Sequence, residues 1–165
     1  MRILAAIDGS ACSEAVVDEI ILRPWPKDTE VKLITAVEFA IPPTPEVWAL
    51  DSHYLEQMDQ IAMRQAEAVM DRAMGRMEYR PNPDLKVTRE ILRGSAREVI
   101  LDQSEQWQPD LIMVGSHGYR GLKRVWLGSV SHAIASHAKC SVEIVRCPES
   151  NDGSPRVVTP VVQEC

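Results

Sequence analysis

Two glycine-containing segments hold the residue types in this chain that are best suited to binding a ligand. The first runs from Gly115 to Gly118 with the sequence Gly-Ser-His-Gly, and nine residues separate it from the second, which begins at Gly128 and Ser129. Glycine is expected to adopt backbone torsions that other residues avoid, and it lets a ligand approach main-chain N–H groups closely. A helix that begins at the second segment would add free N–H groups and the positive end of its dipole. The spacing therefore indicates a loop that binds a polyphosphate.

The sequence leaves a plainer interpretation open, because glycines also occur where a strand merely ends and a helix begins. The motifs G-x-x-x-x-G-K-[ST] and G-x-G-x-x-G are both absent, so neither a Walker loop nor a dinucleotide-binding fingerprint is predicted. Between the glycine segments lie Arg120, Lys123 and Arg124. These side chains could neutralise phosphate charge or could form a solvated basic patch, and the sequence does not decide between the two.

Histidine and cysteine spacing predicts no metal site. His132 and His137 are five residues apart, so they do not share a helix face as i, i+4 ligands do, and with Cys140 they do not make a convincing zinc site. The four cysteines, at positions 12, 140, 147 and 165, include no C-x-x-C pair. In an intracellular chain we expect them to be reduced thiols with no sensor geometry, rather than a disulfide framework.

Composition limits the class of protein. The 165 residues are enough for one domain, and 45% of them are apolar, which can fill a core. The formal charge of −6 and the 5% aromatic content argue against nucleic-acid binding, which needs basic residues and stacking platforms. No apolar run is long enough to span a membrane, and the apolar stretch at 3–7 is too short for a signal peptide. We therefore expect a cytoplasmic protein that does not bind membranes.

The remaining pattern alternates strands and helices. Apolar runs predict strands at 3–7, 31–37, 85–92, 111–114 and 142–145, and helical patterns predict helices that begin near Ser10, Asp51, Ser95 and Ser129. The order β-α, four times, followed by β predicts an α/β fold: a three-layer, doubly wound sheet of five parallel strands with helices on both faces. Ligands bind such sheets beyond the carboxyl ends of the strands, at the point where strand order reverses. The loops after the first, second and fourth strands are therefore expected to form the site.

Local signals refine the helices. Ser10 is expected to cap the first helix, and Ser95 with Glu98 has the spacing of a capping box at the start of the third. The long helix from about 51 to 79 carries apolar or weakly polar positions three or four residues apart that are expected to face the core: Met58, Ile61, Ala62, Gln65, Val69, Ala73 and Met77.

The pattern Gly-x2-Gly-x9-Gly-Ser resembles the ATP-binding signature of the universal stress protein family. The segments 3–10, 114–118 and 127–131 also resemble the family's first strand and turn, its phosphate loop and its following helix. The resemblance covers residues 1 to about 147, which we take as one nucleotide-binding domain. It leaves out the stretch 148–165, whose Ser, Pro, Asp and Val content has no period and predicts a disordered tail.

This resemblance implies a role for particular residues. It places Asp8 near the ribose and the metal-bound phosphates, and Val37 where a backbone group contacts the adenine edge. The first half of the phosphate loop is matched by Gly115, His117 and Gly118, and the second half by Gly128, Ser129, Val130 and Ser131. It also implies an adenine nucleotide alpha hydrolase-like fold, ATP with Mg as the ligand, and a homodimer through the last strand near Val142–Val145. No residue is assigned as catalytic or as a protein ligand of a metal.

The sequence therefore predicts a cytoplasmic, ATP-binding universal stress protein with a regulatory role in the stress response. Nucleotide occupancy would change the loop from Tyr119 to Leu127 or the contact with an unidentified protein partner. One alternative is a slow ATPase or nucleotidyl-transferring enzyme, against which His117 beside Ser116 lacks an evident orienting acid in the sequence. Another alternative is a dimeric interaction module that binds no nucleotide. An edge strand invites pairing with a second copy, although the carboxylate of Glu143 could oppose it.

Overall fold

The computed structural model describes residues 1–38, 52–78, 82, 84–118 and 127–147. The described chain alternates strands and helices from β1 to β5. The strands are β1 (Arg2–Ala6), β2 (Glu30–Val37), β3 (Lys86–Arg93), β4 (Leu111–Gly115) and β5 (Ser141–Val145). The helices are α1 (Ala11–Leu22), α2 (Ser52–Glu78), α3 (Ala96–Trp107) and α4 (Ser129–His137). Each predicted strand is present, with its ends displaced by one residue at most. The prediction of a disordered tail at 148–165 lies outside the described residues.

The five strands form one parallel sheet in the order β3-β2-β1-β4-β5. From β1 the chain proceeds outward to β2 and β3, then returns to the other side of β1 for β4 and β5. The strand order therefore reverses between β1 and β4, whose residues pair directly, as Ala6 does with Val114. The loops that follow these two strands flank the switch point at which α/β sheets bind ligands. The predicted doubly wound fold is confirmed.

Alternate side chains of the strands enter two separate cores, one on each face of the sheet. On one face Ile3 and Ala5 pack with α1 and α2, where Val16 and Met70 are fully buried. On the other face Leu4 packs with α3 and α4. Because the central strands are buried on both faces, their sequences are continuously apolar rather than alternating. The molecule has the three predicted layers of helix, sheet and helix.

The first helix begins as the sequence predicts, whereas α2 and α3 each differ from the prediction in one detail. Ser10 accepts a hydrogen bond from the Ser13 N–H at 3.3 Å and so caps α1 as predicted. Ser95 is the N-cap residue of α3, but its side chain makes no capping hydrogen bond, so the hydroxyl half of the predicted capping box is wrong. In α2 the expected inner positions Met58 and Ile61 are 42% and 48% exposed.

The cysteines also differ from expectation. Cys12 in the first turn of α1 and Cys147 after β5 form a disulfide, although 135 positions separate them in sequence. The prediction that the cysteines are reduced thiols is therefore wrong for this pair, because the fold brings their Cα atoms to 4.3 Å. Cys140 is free and half-buried, and burial raises the pKa of its thiol. Within the described ranges no helix is both long enough and apolar enough to cross a membrane.

Candidate nucleotide-binding site

Asp8 and the first glycine segment meet at the carboxyl edge of the sheet. The exposed carboxylate of Asp8 accepts a hydrogen bond from the Ser10 N–H at 2.9 Å through Oδ1. A Cβ atom on Gly118 would lie 2.8 Å from the other oxygen, Oδ2, so the glycine lets the carboxylate rest against the main chain. The Ser10 hydroxyl donates to the His117 carbonyl at 3.4 Å. The loop after β1 and the loop after β4 are thus joined at the switch point, as the sequence predicted.

The second glycine segment is tied to the first through the carbonyl of Ser116. This oxygen accepts the Gly128 N–H at 2.8 Å and the Ser131 hydroxyl at 3.1 Å. The Ser131 hydroxyl also lies 3.0 Å from the Gly128 carbonyl. Ser131 is only 2% exposed. Because a hydroxyl has one hydrogen to donate, the Ser131 side chain is engaged in holding the two segments together in this structure.

The first turn of α4 has N–H groups that lack an acceptor within the helix. The main-chain hydrogen bonds within the helix begin with the N–H of His132, which donates to the Gly128 carbonyl at 2.9 Å. The N–H groups of Ser129, Val130 and Ser131 precede it and have no intrahelical acceptor, as in the first turn of any helix. Gly128, the N-cap residue, has no side chain with which to cap them. This helix end therefore offers several donors and a positive dipole to an anion.

The glycines are needed for space rather than for unusual torsions. Among the described residues the glycines with positive φ are Gly9 and Gly94. Gly128 has φ −68° and ψ 158°, which any amino acid adopts, yet a Cβ there would lie 3.2 Å from the Ser116 carbonyl oxygen. The expectation that Gly115 and Gly118 adopt torsions avoided by other residues is wrong. The close contacts of these two glycines, which leave no room for a Cβ atom, explain why glycine occurs there. These contacts disfavour the interpretation that the glycines merely end a strand.

Gly115 brings β4 against the first turn of α1. A Cβ on Gly115 would lie 2.8 Å from Cys12 Cβ and 3.0 Å from the Cys12 carbonyl carbon. The next residue, Ser116, is 3% exposed, and its Oγ lies 3.6 Å from Cys12 Sγ and 3.3 Å from His117 Nδ1. A buried hydroxyl in this position is packed and cannot reach a substrate in solvent. The half-buried ring of His117 stays beside the loop, where the sequence predicted it.

Val37 ends β2 at the same edge of the sheet. Its side chain is 5% exposed and its carbonyl accepts the Gly94 N–H at 3.1 Å. A carbonyl oxygen has two lone pairs, so a second donor can still be accepted there. Since β2 neighbours β1, this backbone group lies at the same sheet edge as the predicted phosphate loop, one strand beyond Asp8.

The only acidic side chain that the contacts above bring to the glycine segments is that of Asp8. No group of three or more His, Cys, Asp or Glu side chains able to hold a metal ion occurs among the described residues. A divalent cation at this edge would therefore depend on Asp8, water and oxygen atoms of the ligand itself. Mg²⁺ is commonly bound in this way, by one or two carboxylates together with substrate phosphates.

A concavity lies elsewhere, between α1 and α2. It has a volume of about 320 Å³, and its charged lining residues are Glu14, Asp18, Arg72 and Arg76. Arg72 pairs with Glu14 at 3.3 Å and Arg76 pairs with Asp18. Because these charges are matched, the groove offers no excess positive charge to a phosphate. The glycine segments remain the better anion site.

Three residues of the site were not among those predicted. Ser116 links β5, Gly128 and Ser131 through its main chain, Cys12 packs beneath Gly115, and Gly9 has φ +81° in the turn after Asp8. The dipeptide Asp-Gly signals the turn at Gly9. Nothing in the spacing signals the other two, since their roles depend on contacts between distant parts of the chain.

The family of the chain follows from comparison with known proteins. Residues 1–146 match the model of the universal stress protein family. The chain belongs to this family, which confirms the predicted family.

Individual relatives agree with this assignment. The universal stress protein MJ0531 of Methanocaldococcus jannaschii is 28% identical over 151 residues, covering 90% of this chain and 83% of the relative. The solved structure of the hypothetical protein MJ0577 gives a TM-score of 0.76 at 23% identity, covering 90% of this chain and 97% of that one. A universal stress protein family protein from Arabidopsis thaliana, solved with AMP bound, gives a TM-score of 0.63 at 18% identity. This match covers 90% of this chain and 93% of that one. At these identities the two structures show a shared fold.

Proposed function

We propose that this universal stress protein binds ATP with Mg²⁺ at the glycine segments and acts as a cytoplasmic regulator rather than as an enzyme. The observation that carries the proposal is the juxtaposition of two features. An uncapped helix end at Gly128 lies within hydrogen-bonding distance of the loop after β4, and that loop lies against the Asp8 carboxylate. The structure of the Arabidopsis relative with AMP bound supports an adenine nucleotide as the ligand class.

Each part of the site has a task in this proposal. The N–H groups of Ser129, Val130 and Ser131 donate to phosphate oxygens, and Gly115, His117 and Gly118 leave the loop main chain open to them. Asp8 would hold a Mg²⁺ ion through the water ligands of the ion, or would hold the ribose, and the ion would supply positive charge that offsets the charge of the phosphates. The backbone of Val37 contacts the adenine edge. These roles agree with the placement of the residues on the loops after β1, β2 and β4.

The proposed role is regulatory because the site is built from groups that bind rather than groups that react. The hydroxyl nearest to His117 is that of Ser116, which is buried beside Cys12 and cannot attack a phosphate held outside the loop. We propose that ATP occupancy changes the segment 119–127, which connects the two glycine segments, and thereby the binding of a protein partner. Residues 119–126 of this segment lie outside the described residues.

Calorimetry and mass spectrometry test the proposal. We expect ATP to bind with a Kd below about 1 mM in the presence of Mg²⁺, which corresponds to roughly −4 kcal/mol. ATP, AMP and cyclic AMP are compared with and without Mg²⁺, and the purified protein is denatured to identify any released nucleotide by mass. The absence of binding at millimolar ATP with Mg²⁺ contradicts the proposal. Turnover above about 1 per second would favour the enzyme alternative.

We also propose that two copies pair along β5. This strand is the last in the sheet order, so one of its edges pairs with no described strand. Glu143 does not oppose pairing at that edge, because it is 7% exposed and bound on the helix face of the sheet by Arg23 at 2.7 Å. The hydrogen bond to Glu143 raises the pKa of Arg23.

Sedimentation measures the predicted dimer. At micromolar concentration we expect a species of twice the chain mass of 18.5 kDa. A proline in place of Ile144 in β5 removes one N–H donor from the strand and should shift the species toward the single chain. A single species of 18.5 kDa for the natural chain contradicts the dimer.

A further inference from the structure

The disulfide between Cys12 and Cys147 spans the strand that carries the first glycine segment. Cys12 lies in the first turn of α1, with its Cβ directly beneath Gly115 of β4. Cys147 follows β5, which pairs with β4 so that Val145 faces Gly115. The covalent bond therefore joins α1, which packs on one face of β4, to the segment that follows β5, the strand paired with β4. The end of β4 is enclosed between the two.

A short series of hydrogen bonds connects this disulfide to the helix end at Gly128. Two residues before Cys147, the Val145 carbonyl accepts the N–H of Ser116 at 2.7 Å. The Ser116 carbonyl in turn accepts the Gly128 N–H at 2.8 Å and the Ser131 hydroxyl at 3.1 Å. Fixing Cys147 fixes Val145, and through Ser116 it fixes the relative position of the two glycine segments. No other covalent link joins these elements among the described residues.

We infer that Cys12 and Cys147 form a reversible thiol–disulfide pair that controls the affinity of the nucleotide site, with the disulfide form binding more tightly. This inference rests on the proposed function for the identity of the ligand. In the disulfide form the N–H groups around Gly128 are held in place before the ligand arrives. In the dithiol form the end of β5 is released, so binding must also order the loop, which lowers affinity.

The two cysteines are placed for distinct steps of the exchange. Cys147 is half-buried, whereas Cys12 is 1% exposed. The Cys147 thiolate attacks a low-molecular-weight disulfide such as oxidised glutathione, forming a mixed disulfide and releasing one glutathione thiol. The Cys12 thiolate, in the first turn of α1, then attacks the Cys147 sulfur and releases the second glutathione thiol. Two protein thiols are oxidised to one disulfide, one glutathione disulfide is reduced to two thiols, and their protons are exchanged through water.

The first test compares ATP affinity in the two redox states of the full-length protein. One sample is equilibrated with excess oxidised glutathione and the other with a phosphine reductant, and alkylation followed by mass spectrometry verifies the state of each thiol. We expect the disulfide form to bind ATP with Mg²⁺ about 5-fold or more tightly, the lower range of allosteric coupling. By linkage, saturating ATP should shift the glutathione ratio that half-oxidises the pair in the direction of easier oxidation, by the same factor.

Variants isolate the pair. Cys140→Ser combined with Cys165→Ser leaves only Cys12 and Cys147, and this double variant should keep the full redox response. Cys147→Ser should bind ATP equally in both conditions, with the affinity of the reduced natural chain. Equal affinity of the two verified redox states overturns the inference, and so does failure of the pair to form a disulfide in excess oxidised glutathione.

A measurement without nucleotide separates this inference from the proposed function. Hydrogen exchange at the amides of Ser116 and Gly128 should be faster in the dithiol form, because the hydrogen bonds of both amides depend on the position of β5. If neither redox state binds ATP, the proposed function fails, and the exchange rates still decide whether the disulfide orders the loop. Identical exchange in both forms would overturn the coupling itself.

Discussion

Replacing Gly128 with valine should abolish ATP binding and leave the fold intact. The backbone at this position has φ −68° and ψ 158°, which valine adopts without strain. There is too little room for the valine side chain, however. Its Cβ would lie 3.2 Å from the Ser116 carbonyl oxygen and 3.5 Å from His117 Cα. The side chain must therefore push the two glycine segments apart. The helix end and the loop after β4 would then no longer contact the same phosphates.

Calorimetry with Mg²⁺ and far-ultraviolet circular dichroism measure the two halves of this prediction. We expect affinity to fall by about a hundredfold or more, equivalent to roughly 3 kcal/mol of binding free energy. Gly75→Val provides the control, because a Cβ at Gly75 meets nothing within 4 Å and the residue lies in α2. Undiminished affinity of Gly128→Val, with a native spectrum, would place the ligand away from the glycine segments.

The strands could be predicted to within one residue because burial on both faces leaves a simple mark on the sequence. In β4, Ile112 and Met113 point to opposite faces, and both are fully buried. Where such runs alternate with helical patterns, a continuous apolar run of strand length between turn residues indicates a buried strand. The doubly wound sheet followed from the same alternation, since parallel strands joined by helices form sheets of that kind.

The inner face of α2 could be predicted at Ala73 and Met77, whereas the predicted inner positions Met58, Ile61 and Gln65 are exposed. The helix has 27 residues and is about 40 Å long at 1.5 Å per residue, whereas the longest strands have 8 residues and span about 26 Å. The helix is longer than the sheet on which it packs. Its second half buries Ala66, Met70, Ala73 and Met77, while the earlier positions Met58 and Ile61 are exposed. Periodicity indicates a face but not where the covering sheet ends.

The site could be predicted as a set of residues but not as a set of contacts. The glycine spacing identifies the two segments, and the fold order brings Asp8 to them. The link through Ser116 and the disulfide of Cys12 depend on β5 lying beside β4, more than a hundred residues from α1 in sequence. The hydroxyl of Ser131, at a position predicted to bind phosphate, donates within the protein instead. Spacing cannot show which hydrogen-bonding groups the protein itself has already occupied.

Asp8→Asn should convert ATP binding from Mg²⁺-dependent to nearly Mg²⁺-independent. The amide keeps the size of the carboxylate and an oxygen that can accept the Ser10 N–H, so the turn is preserved. The negative charge is lost. With Mg²⁺ present we expect affinity to fall about 50-fold, within the ten- to hundredfold range typical for residues that support a bound metal. Without Mg²⁺ we expect the substitution to raise the affinity for ATP, because Asp8 repels the bare triphosphate and asparagine does not.

This sign change distinguishes an electrostatic role of Asp8 from a structural one. A residue that only shapes the turn would alter affinity equally with and without the cation. Titrations of ATP into the natural chain and the variant, each in Mg²⁺ and in a chelator, give the four affinities needed. Asp102→Asn, at an exposed position in α3, makes the same change in net charge. This control should bind ATP with the affinities of the natural chain, both in Mg²⁺ and in the chelator. An equal loss of ATP affinity in both conditions for Asp8→Asn would show that this carboxylate does not hold the cation. The phosphates would then be bound by the main-chain amides alone.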